Sequence, residues 1–242
     1  MNQYFIFKNE SSESFKGLIV SELPPISKPP KRVGTITIDG RDGDITEFLG
    51  YESYDKEIRV GLSRGYDIDA LFEWLDGSGE LILSNEPDKK YRAEIIDGID
   101  FERLVCFKTA KIKFHCQPYK YSSTETVRLF TPKNSSGTLI VTNNGNTDAL
   151  PDIYLNLTGV LTLKINGSYV CTITTGTTSE SLTLFCEKEE IHSGVFNESQ
   201  PLKTFKMSGD FPVLLKGENV IEYSVTDGTL LKMFFKRFSR WI

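Results

Sequence analysis

The sequence predicts a predominantly antiparallel β protein of two domains, with one helix in the first and a β-sandwich or jelly roll as the second. Three observations carry this. Aromatics make up 12% of the chain and, with many Thr, Val and Ile, fall in short alternating segments, the side-chain period of half-buried strands. Gly, Asn and Asp punctuate those segments at turn positions. At 242 residues the chain is long enough for two domains of ordinary size, each burying its own core.

In the first half, Thr35-Ile36-Thr37-Ile38 alternates cleanly and runs into Asp39-Gly40-Arg41-Asp42-Gly43-Asp44. The glycines supply the positive φ angles of a tight turn, so this segment predicts a hairpin. Further strands are expected at Glu57 to Leu62, Gly79 to Ser84, Tyr91 to Ile96 and Phe101 to His115, the last two joined around Asp97-Gly98. One helix stands out. Ile68, Leu71, Phe72 and Leu75 repeat at helical spacing after the N-cap Asp67 and before the stop Gly77, and Trp74 extends the apolar face. A lone amphipathic helix among strands is expected to cover one open side of a sheet.

After Pro118-Tyr119-Lys120-Tyr121 the chain becomes polar and turn-rich, through Ser122-Ser123-Thr124-Glu125-Thr126 and Thr131 to Gly137. This predicts a domain boundary, with domains at 1–130 and 131–242. Beyond it, strands are expected at Thr138 to Asn143, Pro151 to Thr158, Val160 to Ile165, Ser168 to Thr174 and Ser181 to Cys186. Three more follow at Phe211 to Leu215, Gly217 to Thr226 and Leu230 to Phe238, a spacing that fits a sandwich or jelly roll. Asn166-Gly167 and Asp227-Gly228 read as hairpin turns between alternating apolar residues. No helix is expected in this half.

Composition narrows the function. A net charge of -5, from 28 Lys+Arg against 33 Asp+Glu, gives no positive field to gather nucleic acid or anionic lipid. No apolar run has the length of a signal-peptide core or a membrane span, so synthesis and folding in cytosol are expected. Cys106, Cys116, Cys171 and Cys186 sit singly in apolar or β-rich stretches, without a C-x-x-C pair, and read as buried thiols. Cys171 and Cys186 are the two whose strands can face each other, but a cytosolic protein needs no disulfide.

Catalytic chemistry requires converging groups, and few are on offer. The two histidines, His115 in an expected strand and His192 in a loop after Glu187-Lys188-Glu189-Glu190, have no partner recognisable in the sequence. No G-x-S-x-G, H-E-x-x-H, G-x-x-x-x-G-K-[ST] or G-x-G-x-x-G pattern occurs. Asp39 to Asp44 offers oxygen ligands, but its spacing departs from the EF-hand loop and no Glu closes it, so a turn is the better reading than a calcium site. The N-x-[ST] triplets at Asn9, Asn134, Asn156, Asn166 and Asn197 carry no weight without a secretory signal. Lys232, Lys236, Arg237 and Arg240, interleaved with Met233, Phe234, Phe235, Phe238 and Trp241, read as a terminal strand with one buried face. No catalytic, cofactor-binding or metal-ligating residue is assigned, and no enzymatic activity is expected.

Several segments in order carry a resemblance. They are Phe15-Lys16-Gly17-Leu18-Ile19-Val20, the Pro24-Pro25 and Pro29-Pro30 stretch, Ile38-Asp39-Gly40-Arg41-Asp42-Gly43, and the helix ending Trp74-Leu75-Asp76-Gly77. Leu81-Ile82-Leu83-Ser84, Pro87-Asp88, Tyr91-Arg92-Ala93 and Lys113-Phe114-His115-Cys116-Gln117-Pro118-Tyr119 follow. With this order and spacing, roughly residues 1 to 130 resemble the N-terminal domain of the siphophage distal tail protein family.

The resemblance implies an N-terminal β-sandwich with one helix and a projecting hairpin, followed by a C-terminal galectin-like β-sandwich. It implies six copies closed into a ring at the virion tail tip, made in the host cytoplasm. Its implied partners are other copies of the chain, the tail tube protein and the tail-associated or receptor-binding tail proteins, with no specific nucleic-acid binding and no membrane. A ring of heterologous contacts needs an edge or hairpin to dock on the next copy. The expected contact residues are Ile36, Ile38, Asp39, Arg41, Asp42 and Asp44, joined by strand addition. The alternative is a cell-wall saccharide-binding module, with Tyr154, Tyr169 and Trp241 as exposed aromatics; a cell-wall glycosidase, whose two carboxylates leave no spacing signature, ranks last.

Overall fold

The computed structural model describes residues 3–99, 109–124 and 127–242; the first part of the expected strand Phe101 to His115, and Cys106 with it, lies outside them. The protein is mostly β, and its elements divide between two units, one running to Ser123 and the other spanning Thr124–Trp241.

The first unit holds β1 (Phe5–Phe7), β2 (Glu10–Ser11), β3 (Leu18–Glu22), β4 (Lys31–Thr37), β5 (Asp44–Tyr51) and β6 (Tyr54–Leu62). Then come α1 (Ile68–Trp74), β7 (Gly77–Leu83), β8 (Glu86–Ile95) and β9 (Thr109–Ser122). Within the unit the main sheet runs β2-β1-β7-β8-β9-β6-β3, while β4 and β5 form a two-stranded sheet of their own. Strand β9 bridges the two halves of the main sheet, pairing with β6 from Thr109 to Cys116 and with β8 up to Ser122. Its register against β8 shifts between Tyr91 and Ala93, opposite Pro118, which has no N–H to give the ladder. Alternate residues of the strands bury one face. Phe5, Phe7, Ile58, Val60, Leu81, Tyr91, Ile112 and Phe114 form a single cluster with Leu71, Trp74 and Leu75.

The helix begins where expected, with the Asp67 carboxylate accepting from the Ala70 N–H at 3.2 Å. Its buried stripe differs in one residue. Leu71, Trp74 and Leu75 are buried while Phe72 is 48% exposed. In this seven-residue helix the buried stripe is set by Leu71, Trp74 and Leu75, and Phe72 falls outside it. Trp74 stacks on Phe5 at 5.2 Å and on Phe15 at 4.3 Å, and its indole N–H donates to the Phe7 carbonyl at 3.0 Å.

The second unit holds β10 (Arg128–Phe130), β11 (Ser136–Asn143), β12 (Asp152–Leu157), β13 (Val160–Ile165), β14 (Ser168–Thr174) and β15 (Glu180–Phe185). After these come β16 (Glu190–Ser193), β17 (Met207–Gly209), β18 (Gly217–Thr226), β19 (Leu230–Lys236) and β20 (Arg240–Trp241). Two five-stranded sheets, β10-β19-β12-β15-β16 and β11-β18-β13-β14-β17, make a β-sandwich. Leu155, Leu184 and Phe235 from the first sheet share one core with Leu163, Ile173 and Ile221 from the second.

The expected strand Phe211 to Leu215 does not form. Pro212 removes a ladder donor, and only Leu214 bridges, to Ala149. Strands β16 and β17 take the places beside β15 and β14 instead. Cys116, Cys171 and Cys186 are buried and free. Burial pushes the thiols of Cys116 and Cys171 up to about 12, and that of Cys186 up as well, so all three stay protonated.

Candidate functional site

The hairpin β4–β5 is the most exposed regular structure in the first unit. Arg41 donates its N–H to the Ile38 carbonyl at 3.2 Å, and Gly40 and Gly43 take φ of 80° and 79°, the conformation the Asp-Gly steps predict. Folding the chain back about this turn sets Ile45 opposite Ile36 and Phe48 opposite Val33. One face then carries Ile36, Ile38, Ile45 and Leu49, with Gly34 beneath the Leu49 side chain at 3.5 Å. The other carries Val33 and Phe48, which meets Tyr51 edge-on at 5.1 Å. All five aliphatic residues and Phe48 are exposed. A two-stranded hairpin is marginal in water by itself, and apolar surface on both of its faces marks a surface built to be covered.

Among the residues singled out from the sequence, Ile36 and Ile38 lie on the first face; Asp39, Arg41 and Asp42 occupy the turn; and Asp44 sits opposite Thr37. The turn charges make no ion pair with any described residue and remain solvated. Sequence reasoning missed Val33, Ile45, Phe48 and Leu49. The first three are implied once the turn is centred on Gly40-Arg41, because antiparallel pairing puts an apolar partner across from each apolar residue.

The root of the hairpin is fastened by polar contacts, the buried ones centred on Lys56 and Lys120. Glu52 donates its N–H to the Pro30 carbonyl at 2.9 Å, and Asn85 Nδ2 donates to the Pro24 carbonyl at 2.9 Å. Lys56, only 1% exposed, reaches the Pro25 carbonyl at 3.3 Å and lies over the Tyr91 ring at 4.8 Å. Beside it Lys120 pairs with Glu86 at 2.8 Å, and the Tyr91 hydroxyl donates to the same carboxylate. Burial lowers the Lys56 pKa and raises those of Tyr54 and Tyr91. Cys116 completes the cluster as a protonated thiol, so this group of titratable side chains anchors the Pro24-Pro25 strap rather than supplying a nucleophile.

Both histidines have carboxylate partners, which the sequence did not reveal. His115 Nδ1 lies 2.9 Å from Asp55 on the neighbouring strand, and that carboxylate also binds Lys113 at 2.9 Å. His192 donates from Nδ1 to the Gln200 carbonyl at 2.7 Å and faces Glu190 from Nε2 at 3.0 Å. Two acceptors favour the doubly protonated ring, so the Gln200 carbonyl first and Glu190 second raise its pKa above 6.5. A folded pKa above the unfolded one stabilises most below the unfolded value, and the stabilisation is lost as pH rises through the folded one. The thermal midpoint of the second unit is therefore expected to fall as the pH rises above 6.5, and calorimetry on His192→Gln should show that slope flattened.

Among the described residues no three His, Cys, Asp or Glu side chains gather as a metal site, and no helix is long and apolar enough to cross a membrane. The three aromatics singled out from the sequence separate by exposure. Tyr154 is buried, stacked on Phe234 at 5.1 Å; Trp241 is half-buried; Tyr169 is exposed.

Over its whole length the chain shares its fold with a solved structure, that of the SPP1 Dit (gp 19.1) protein, described as a paradigm of the hub adsorption apparatus in phages infecting Gram-positive hosts. The TM-score is 0.66 with 100% of each chain covered, at 16% sequence identity. No protein-family model and no curated protein matches the chain.

Proposed function

We propose that this chain is a non-enzymatic structural subunit of a siphophage or prophage tail, a hub whose six copies close into a ring at the tail tip. The ring joins the tail tube protein to the tail-associated or receptor-binding proteins of the host-adsorption apparatus. In this reading residues 1–130 form the ring and 131–242 the outward sandwich. The observation that carries it is the likeness to a phage hub adsorption protein along the entire chain, both units included, with no segment of either chain left over.

The hairpin gives the reading its physical means. A ring of identical copies needs one surface of each to meet a different surface of the next. Among the described residues β4 and β5 each leave one ladder edge unpaired beside exposed apolar side chains, which suits strand addition onto a neighbour. A net charge of -5 suits a lumen that passes DNA without gripping it. The test is light scattering across a concentration series. The wild-type chain is expected at six times its own mass, and Ile36→Asp with Phe48→Asp, two exposed positions, at one. A double variant that assembles as fully as the wild type would remove the hairpin from the contact.

A further inference from the structure

The outer face of the β11-β18-β13-β14-β17 sheet carries a second feature, apart from the β4–β5 hairpin. Paired residues of an antiparallel sheet share a face. One row across the strands therefore reads Thr138, Glu222, Lys164 and Tyr169. The adjacent row sets Ser224, Thr162 and Thr172 beside it. A cleft of about 290 Å³ opens along the β11, β18 and β13 part of these rows, with the Thr138, Lys164 and Glu222 side chains on its wall. That is close to the small end of ligand pockets, roughly 300 Å³.

Two properties separate this cleft from an ordinary solvated sheet face. Lys164 and Glu222 stand opposite each other on neighbouring strands, yet neither forms an ion pair with the other or with any described residue. Lys164 is exposed and Glu222 half-buried, the two side by side and summing to zero. Tyr169, paired with Lys164, is 54% exposed but fixed in place. Its hydroxyl donates to the Ser208 carbonyl at 3.2 Å and lies 3.3 Å from Thr172 Oγ1. A register shift between Leu163 and Lys164 turns both Val170 and Cys171 toward the core and leaves Tyr169 on the outer face. Gly209 packs closely beneath this strand: a Cβ there would sit 2.4 Å from the Val170 carbonyl oxygen and 3.1 Å from the tyrosine hydroxyl.

From this arrangement we infer a saccharide-binding site on the outer sheet face, taking a neutral pyranose unit of a surface polysaccharide. A sugar ring has an apolar face that stacks on an aromatic and a rim of hydroxyls that both donate and accept. Tyr169 supplies the fixed aromatic face, held at no further cost in side-chain entropy on binding. Glu222 accepts from one hydroxyl and Lys164 donates to its neighbour, while the threonine and serine hydroxyls of the adjacent row can do either. The balanced charge pair complements a neutral ligand; an anionic or cationic polymer would meet one like charge for each opposite one.

The test uses the full chain on an array bearing oligomers of N-acetylglucosamine, glucose, galactose and rhamnose, followed by titration calorimetry with whichever oligomer binds. Binding of at least one oligomer is expected, weakened about tenfold or more by Tyr169→Ala and by Lys164→Met with Glu222→Gln. Lys188→Ala, elsewhere on the unit, should leave it unchanged. Thermal melting checks that each variant folds; should Tyr169→Ala melt early, the charge-pair variant decides alone. Silence toward all four sugars at millimolar concentration, or binding indifferent to the charge-pair variant, would overturn the site. Assembly is read separately by light scattering, so the ring reading and the saccharide site stand or fall independently.

Discussion

Replacing Gly228 with alanine is expected to unfold the second unit or cost it more than about 4 kcal/mol, in the range where single substitutions are exceptional. A Cβ at this position would lie 2.0 Å from the Thr158 carbonyl oxygen and 2.7 Å from the Gly159 nitrogen. These are backbone atoms and have nowhere to go. Thr158 and Thr229 exchange hydrogen bonds of 3.0 and 3.1 Å across the same point, and the Thr229 N–H also reaches Thr158 Oγ1 at 2.8 Å. Gly159 is equally confined, its own Cβ position 2.5 Å from the Thr226 carbonyl. The natural control is Gly167→Ala. Gly167 has φ of 81° with nothing near its Cβ position, so alanine there meets only left-handed strain, about 1–2 kcal/mol. Peptide-resolved hydrogen exchange should show protection lost around Thr158 and Thr229 in the first variant and kept in the second. Equal stability of the two proteins would contradict the close approach.

The second large effect is expected from Phe114→Ala in the first unit, a loss of about 3–5 kcal/mol from the cavity. Phe114 is fully buried and meets Phe5 and Phe7 edge-on, at 5.6 and 5.1 Å. Phe5 in turn stacks on Trp74. The ring thus links the central strand β9 to β1 and, through Phe5, to the helix, and truncating it removes two aromatic pairs as well as apolar contact area. Urea denaturation followed by tryptophan fluorescence reads this directly, because Trp74 sits inside the affected cluster. Ile96→Ala, at a residue 65% exposed, should stay within about 0.5 kcal/mol of the wild type. A Phe114 variant that matched it would place the core elsewhere.

What was legible in the sequence follows a physical divide. Local signals worked where the cause is local: the hairpin turn at Asp39 to Gly43, the Asp67 cap, and strands such as Val160–Ile165 whose ends are fixed by flanking turns. Asn166-Gly167 and Asp227-Gly228 look alike in sequence and differ in cause. The first takes positive φ at both residues, 53° and 81°; in the second only Asp227 does, at 55°, and the glycine serves proximity to the β12–β13 bend far along the chain. No window of sequence contains that neighbour. The same holds for the histidine partners. Asp55 reaches His115 through sheet pairing, and Glu190 and Gln200 reach His192 through a strand too short to announce itself.

The candidate surfaces divide the same way. Ile36 and Ile38 were readable from alternation, and Val33, Ile45 and Phe48 follow from the turn centre, whereas Leu49 is the extra residue of a bulge between Arg32 and Val33 near the root, which the sequence does not announce. Phe72 turned outward because Trp74, the larger side chain, takes the place over Phe5 and Phe15. Tyr154 and Tyr169 were indistinguishable by type. Their fates were decided by which strand face each occupies, buried under Phe234 for one and tethered in the open for the other.

The central claim is that copies of this chain close into a ring, and negative-stain microscopy of the purified protein tests it most directly. Closed particles with six-fold symmetry in class averages are the predicted result. Particles no larger than a single chain at every concentration imaged would contradict it.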